Sequence, residues 1–203
     1  MIHRPVEEQR QQLLEDASRI EEHIQPLPSA RGNPALVVLS GLPGSGKSHF
    51  CSRLVSRHPM ACLESDALRK ALFGQPTYSA EESRRLFSAC HLVLNRLLAW
   101  GIAAILDATN LREEHRQRLY HIADDHKAKL ILVHLQAPPP IVHERLQARV
   151  DGPHAQDLSD AGPEVYERMR LDAEPIGRPH ISVDTSADIE PAIAAIVRQM
   201  KEP

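Results

Sequence analysis

Residues 35–48 read ALVVLSGLPGSGKS: a short apolar run, Ala35–Ser40, followed by Gly41-Leu42-Pro43-Gly44-Ser45-Gly46-Lys47-Ser48. The apolar run is bounded by a glycine turn, the mark of a strand buried on both faces. Residues 46–57 then take up a helical period. Three glycines stand at the junction, at 41, 44 and 46. Glycines let the backbone curl so that successive N–H groups point inward, and the helix start adds its positive dipole end. That arrangement accepts a phosphate. Lys47 supplies a point charge for the β and γ phosphates, and the Ser48 hydroxyl can ligate Mg²⁺.

The eight residues satisfy G-x4-G-K-S, the P-loop, and they do so between a predicted strand and a predicted helix, the context that gives the pattern its meaning. The same alternation continues outward. Residues 60–64, 102–107, 129–135 and 180–184 are short apolar runs that read as further strands. Helical periods fall near 80–99, 111–126, 138–149, 163–172 and 188–200. Strands alternating with crossovers of this length predict a doubly wound, three-layer αβα fold with a parallel sheet of about five strands. Residues 150–163, VDGPHAQDLSDAGP, are polar with two Gly-Pro pairs and read as a mobile lid. At the other end, residues 5–25 read as a polar helix with Val6, Leu13, Leu14, Ile20 and Ile24 roughly on one side. The stretch PLPSARGNP (26–34) breaks it. We therefore divide the chain into a helix and linker, 1–34, and a P-loop domain, 35–203. The helix is expected to pack on the core or against a second subunit.

Composition narrows the field. A length of 203 residues suits one α/β domain, and 42% hydrophobic with 25% charged residues is a globular profile. No apolar run is long enough for a bilayer, and the N-terminus has no secretory core. Cys51, Cys62 and Cys90 form no CxxC pair and fit free thiols in a reducing cytoplasm. A net charge of −3 argues against coating long nucleic acid, and 3% aromatics argue against a base-stacking platform.

Three further features carry chemistry. After the second predicted strand comes Glu64-Ser65-Asp66-Ala67-Leu68-Arg69, at the sheet edge where ligands of such folds gather. Asp66 can take a proton from an attacking hydroxyl and Arg69 can hold an anionic part of the acceptor. Ser65 and Asp66 could equally cap a helix, and the two roles are compatible. The run IAAILDATN places Asp107 at a strand end, able to orient a metal's hydration shell, with Thr109 and Asn110 in the loop; a turn-forming Asp/Asn pair is the plainer alternative. Arg145 and Arg149, in ERLQAR, share a helix face before the lid. They can reach a nucleobase and the phosphates, or simply form a solvated face beside Glu144.

Taken in order, GLPGSGKS, SDALR, ILDATNL with EEHR, ERLQAR and a late VDTS resemble the polynucleotide 5′-hydroxyl kinases and the zeta-toxin-like kinases over residues 36–186. The resemblance implies a P-loop NTPase of the nucleoside-kinase-like type with 35–203 as its kinase domain, ATP and Mg²⁺ held by Lys47 and Ser48, Asp66 as general base, and Arg69 on the acceptor phosphate. It implies that Asp107 supports the site, that Arg149 stabilises the transferring phosphoryl, and that Arg145 contacts the base. Asn110 and Arg116 would join Arg69 and Asp107 on the acceptor side. The chain reads Asp107-Ala108-Thr109-Asn110 where phage-type relatives read Asp-Thr-Asn. The expected activity is phosphoryl transfer to a hydroxyl, with a 5′-OH polynucleotide or nucleotide leading. A small-molecule acceptor (antibiotic, nucleoside or nucleotide sugar) follows, and an ATP-binding or ATPase module without acceptor is third.

Overall fold

The computed structural model describes residues 4–28, 32, 34–151 and 162–201. Within them lie five strands, β1 (Ala35–Ser40), β2 (Ala61–Glu64), β3 (Ala104–Asp107), β4 (Lys129–Gln136) and β5 (Ile181–Asp184). The helices are α1 (Arg4–His23), α2 (Lys47–Arg57), α3 (Ser65–Phe73), α4 (Ala80–Ala99), α5 (Glu113–Asp125), α6 (Pro139–Asp151), α7 (Pro163–Leu171) and α8 (Glu190–Lys201). All strand pairs are parallel, in the order β2-β3-β1-β4-β5. From β1 the chain passes over β3 to reach β2, then later returns to the other side for β4. Successive connections thus leave β1 in opposite directions and open a crevice beyond its carboxyl end.

Alternation along the strands divides the core. Leu36, Val38, Leu63, Leu106 and Leu132 face α1, α3, α4 and α5. Val37, Leu39, Ile105, Val133 and Leu135 face α2 and α8. A sheet covered on both sides by helices is the expected three-layer fold. A small third cluster, Val142, Leu146 and Tyr166 packed on Leu42 and Ala137, seats α6 and α7 over the phosphate-binding loop.

Three details differ from the sequence reading. Strand β3 begins pairing at Ala104, not 102, because the segment before it is occupied in closing the turn after α4, where Ile102 N–H bonds the Leu97 carbonyl. Helix α3 has an extent, Ser65–Phe73, that the helical periods above do not include. In α1 the buried stripe is Ala17 and Ile20 flanked by Leu13 and Ile24, while Val6 and Leu14 are exposed. That stripe packs on α3 and α4. Buried Asp16 accepts from Arg85 Nε and Nη2 at 3.1 and 3.0 Å, Arg96 pairs with Glu21 at 2.8 Å, and Arg19 bonds the Leu72 carbonyl at the end of α3. The helix is part of the same core as the domain it precedes. The expected lid falls between α6 and α7, and its residues 152–161 lie outside the described residues.

Candidate active site

The P-loop opens α2 with Gly46 as its cap, at φ +84°, and Gly44 is also left-handed at φ +77°. A β-carbon on Gly44 would come within 2.9 Å of Val142 and one on Gly41 within 2.4 Å of the Leu135 carbonyl oxygen. Glycine is required at these points both for the curl and for the close approach of neighbouring elements. Lys47 starts the helix and donates from Nζ to the Leu42 carbonyl at 3.0 Å, bridging the loop. At its base the loop is stitched to the end of β3: Gly41 N–H bonds the Thr109 carbonyl, Ser40 Oγ bonds the Asn110 carbonyl, and Asn110 Nδ2 bonds the Leu39 carbonyl.

Four ionisable residues share this crevice. Burial pulls the Lys47 ammonium below the usual lysine value; Asp107 and then Asp66 raise it again, and Arg149 lowers it. Burial pushes the Asp107 carboxyl up, against Lys47 and a hydrogen bond from Ser48, while Asp66 pushes it further up. Lys47, both carboxylates and Arg149 are therefore in one another's field. Asp107 is 3% exposed, and its Oδ2 has no hydrogen-bond partner. Asp66 sits half-buried in the first turn of α3. The cap position there is Glu64 and no side chain caps the helix, so neither Ser65 nor Asp66 is used that way.

Divalent-metal chemistry fits this donor set. An orphaned carboxylate oxygen on Asp107 lies beside the Ser48 hydroxyl, and no cluster of three or more His, Cys, Asp or Glu is present among the described residues. Mg²⁺ suits such a site because it keeps several waters and takes phosphate oxygens with one or two protein ligands.

Other expected site residues arrive in different roles. Arg116 is 1% exposed, and five protein acceptors meet its guanidinium: Glu113 at 2.8 Å and the carbonyls of Asn110, Leu111, Glu174 and Pro175 at 2.7–3.1 Å. Against the expectation of a substrate contact, it braces α5 and the 110–111 loop to the chain after α7. Asn110, at 5% exposure and φ +43°, is likewise a stitch between β3 and β1. Arg69 is buried as well. It donates to Ser83 Oγ at 3.1 Å, ion-pairs with Glu82 at 3.5 Å and lies 5.1 Å from the centre of the Tyr78 ring. These contacts lie at the start of α4, and Nη1 keeps no hydrogen-bond partner. Glu82 organises that corner, accepting from Thr77 and Tyr78 N–H, while Ser79 caps the helix through Glu82 N–H. Arg145 does reach the nucleotide loop, bonding the Gly44 carbonyl at 3.2 Å and Thr185 at 2.9 Å. The motif VDTS contains Thr185, but the letters alone assign it no partner. The available signal is its place, directly after a strand at the ligand edge of the sheet.

The geometry has counterparts. A family profile described as an AAA domain matches residues 36–176. The fold superposes on Kti12 of Chaetomium thermophilum in complex with ADP-AlF3, with TM-score 0.65 and 17% identity over 83% of this chain and 100% of that one. It also superposes on a gluconokinase from Sinorhizobium meliloti (TM-score 0.58, 20% identity, 84% of this chain and 96% of that one). A third neighbour is the Mycobacterium tuberculosis APS kinase CysC in complex with AMPPNP and APS (TM-score 0.55, 17% identity, 84% and 99%). No curated protein sequence matches the chain at a significant level. Among the described residues no helix is long and apolar enough to cross a membrane.

Proposed function

Because the chain belongs to the AAA domain family matched over residues 36–176, on a fold shared with P-loop kinases, we propose that it is an ATP-dependent phosphotransferase acting on a hydroxyl group. The observation that carries this reading is Asp66. It is a half-buried carboxylate, not spent as a helix cap, within the field of Lys47 and Asp107. In this reading the P-loop N–H groups and Lys47 hold the phosphates, Ser48 and Asp107 hold the metal's shell, and Asp66 takes the acceptor proton. Mg²⁺, when bound with the nucleotide, neutralises charge on the β and γ phosphates. Arg149, near the end of α6, supplies a cation to the transferring group. The three free thiols suit a reducing cytoplasm.

For the acceptor, the state of Arg69 supports a small hydroxyl compound over a polynucleotide end. A clamp for a strand phosphate needs a guanidinium open to solvent, and this one is 6% exposed, donates to Ser83, pairs with Glu82 beside Tyr78 and keeps only Nη1 without a hydrogen bond. Transfer from γ-labelled ATP is the test, run against 5′-OH DNA and RNA, nucleosides, sugar acids and aminoglycosides. Labelling of a small hydroxyl compound is expected. Labelling confined to oligonucleotides overturns the acceptor assignment, and ATP hydrolysis with no labelled acceptor overturns the kinase assignment.

A further inference from the structure

A loop that turns its N–H groups inward must turn carbonyls outward, and carbonyls packed against protein need donors of their own. In residues 41–48 two such carbonyls are met by donors far away in sequence. Gly44 O accepts from Arg145 Nη1 at 3.2 Å, and Ser45 O accepts from Thr185 Oγ1 at 2.9 Å. The two donors are also bonded to each other. Arg145 Nη1 donates to Thr185 Oγ1 at 2.9 Å, and Arg145 Nη2 donates to the Thr185 carbonyl at 2.9 Å. Thr185 N–H is fixed in turn on the Gln136 carbonyl at the end of β4, at 2.8 Å. The threonine also lies flush on the loop: a β-carbon at Gly46 would come 3.0 Å from its Oγ1 and 3.1 Å from its Cβ.

We propose that Thr185 is a positioning residue of the nucleotide site. Its hydroxyl accepts from Arg145 and donates to Ser45 O, so it relays between α6 and the loop that holds the phosphates. The relay fixes the loop's carbonyls outward, which presets its N–H groups for phosphate before any nucleotide arrives. A hydroxyl can do this because it is donor and acceptor at once. The proposal rests on reading 41–48 as the nucleotide site, and is independent of the acceptor.

Valine and serine divide the threonine side chain into its two halves. Thr185→Val keeps the shape and removes both hydrogen bonds, and Thr185→Ser keeps both and removes the methyl. The measurement is titration with a fluorescent ADP analogue and Mg²⁺, well below the melting temperature of each chain. Leaving one buried carbonyl unpaired should weaken the Kd of the valine variant by roughly tenfold, while serine stays near wild type. Amide exchange at Gly44–Lys47 in the nucleotide-free protein should rise in the valine variant alone. Because Arg145 and Thr185 act as one relay, Thr185→Val combined with Arg145→Ala should cost less than the product of the two single losses. Should the valine chain melt early, Thr185→Ala at lower temperature carries the same comparison. An unchanged Kd with valine overturns the relay; so do a serine variant as weak as valine, and independent losses in the double variant. A wild-type chain that binds no nucleotide overturns the reading of 41–48 itself, and the relay falls with it.

Discussion

Asp66→Asn preserves size and position while removing one charge, and two separate effects follow. As general base, Asp66 should account for roughly 10²–10⁴ in the rate of transfer, which is about 3–5 kcal/mol on the barrier. Its second effect falls on Lys47, whose pKa lies below the ordinary value because of burial, with Asp107 and then Asp66 opposing the fall. Removing the Asp66 charge drives that lysine further down, so the ammonium is lost at a lower pH than in the wild type. The Asp107 carboxyl moves down too, since Asp66 is one of the groups holding it up. The helix itself loses only an acidic group in its first turn, worth about 0.3–1 kcal/mol, too little to account for the loss of turnover. The assay pairs turnover with titration of a fluorescent nucleotide from neutral to alkaline pH. Turnover should fall by at least two orders of magnitude, affinity at neutral pH should change little, and the alkaline loss of affinity should begin earlier. Wild-type turnover in the variant would refute the base. An unmoved alkaline limb would refute the coupling of Asp66 to Lys47.

Arg69→Ala should lower the melting temperature, because it removes a guanidinium that bonds Ser83 and pairs with Glu82 at the start of α4, although Glu82 keeps its bonds from Thr77 and Tyr78. Acceptor KM should change alike for charged and uncharged acceptors, whereas an unchanged melting temperature with a KM rise confined to phosphate-bearing acceptors would restore the clamp. The His91 pKa is lowered to about 4, chiefly by burial and then by Arg118 and His115, from an ordinary 6.5. Its folded value is the depressed one, so its contribution to stability is present above pH 6.5 and is lost as pH falls toward 4. Thermal melts across that window should show a slope that His91→Gln flattens. At the α1–α4 contact, Arg85→Ala should destabilise more than Asp16→Ala. The first leaves an almost fully buried carboxylate unpaired, the second a guanidinium whose side chain is 35% exposed and can rehydrate. Denaturant titration of both variants measures the difference, and equal losses would contradict it.

The shape of the candidate phosphate loop was legible because glycines at 41, 44 and 46 dictate backbone shape, and backbone shape is a local property of sequence. Asp107 was legible for a related reason, as the end of an apolar strand at the ligand edge. Side-chain commitments across the fold were not legible. Arg69 and Arg116 read as acceptor contacts because an arginine near such an edge usually faces ligand. Part of what holds them inward lies 13 to 59 residues away, at Glu82, Ser83 and the carbonyls of Glu174 and Pro175, beside the local acceptors Glu113, Asn110 and Leu111 of Arg116. Thr185 was missed for the same reason, since its partner carbonyl is 140 residues distant. The N-terminal helix was legible as a helix, but which residues it buries depends on α3 and α4, and Val6 and Leu14 proved to lie outside that contact.

The separation between α1 and α4 has a consequence in time. Asp16 and Arg85 are 69 residues apart, and Glu21 and Arg96 are 75. A ribosome adding roughly 5–20 residues per second delivers α1 several seconds before its partner. A lone helix of 20 residues is marginal in water, so α1 must flicker while it waits. Its Asp16 stays hydrated during that interval, because burying the carboxylate without Arg85 is costly. The pair therefore acts as a sequencing check during synthesis: α1 can close over this layer only after α4 has emerged.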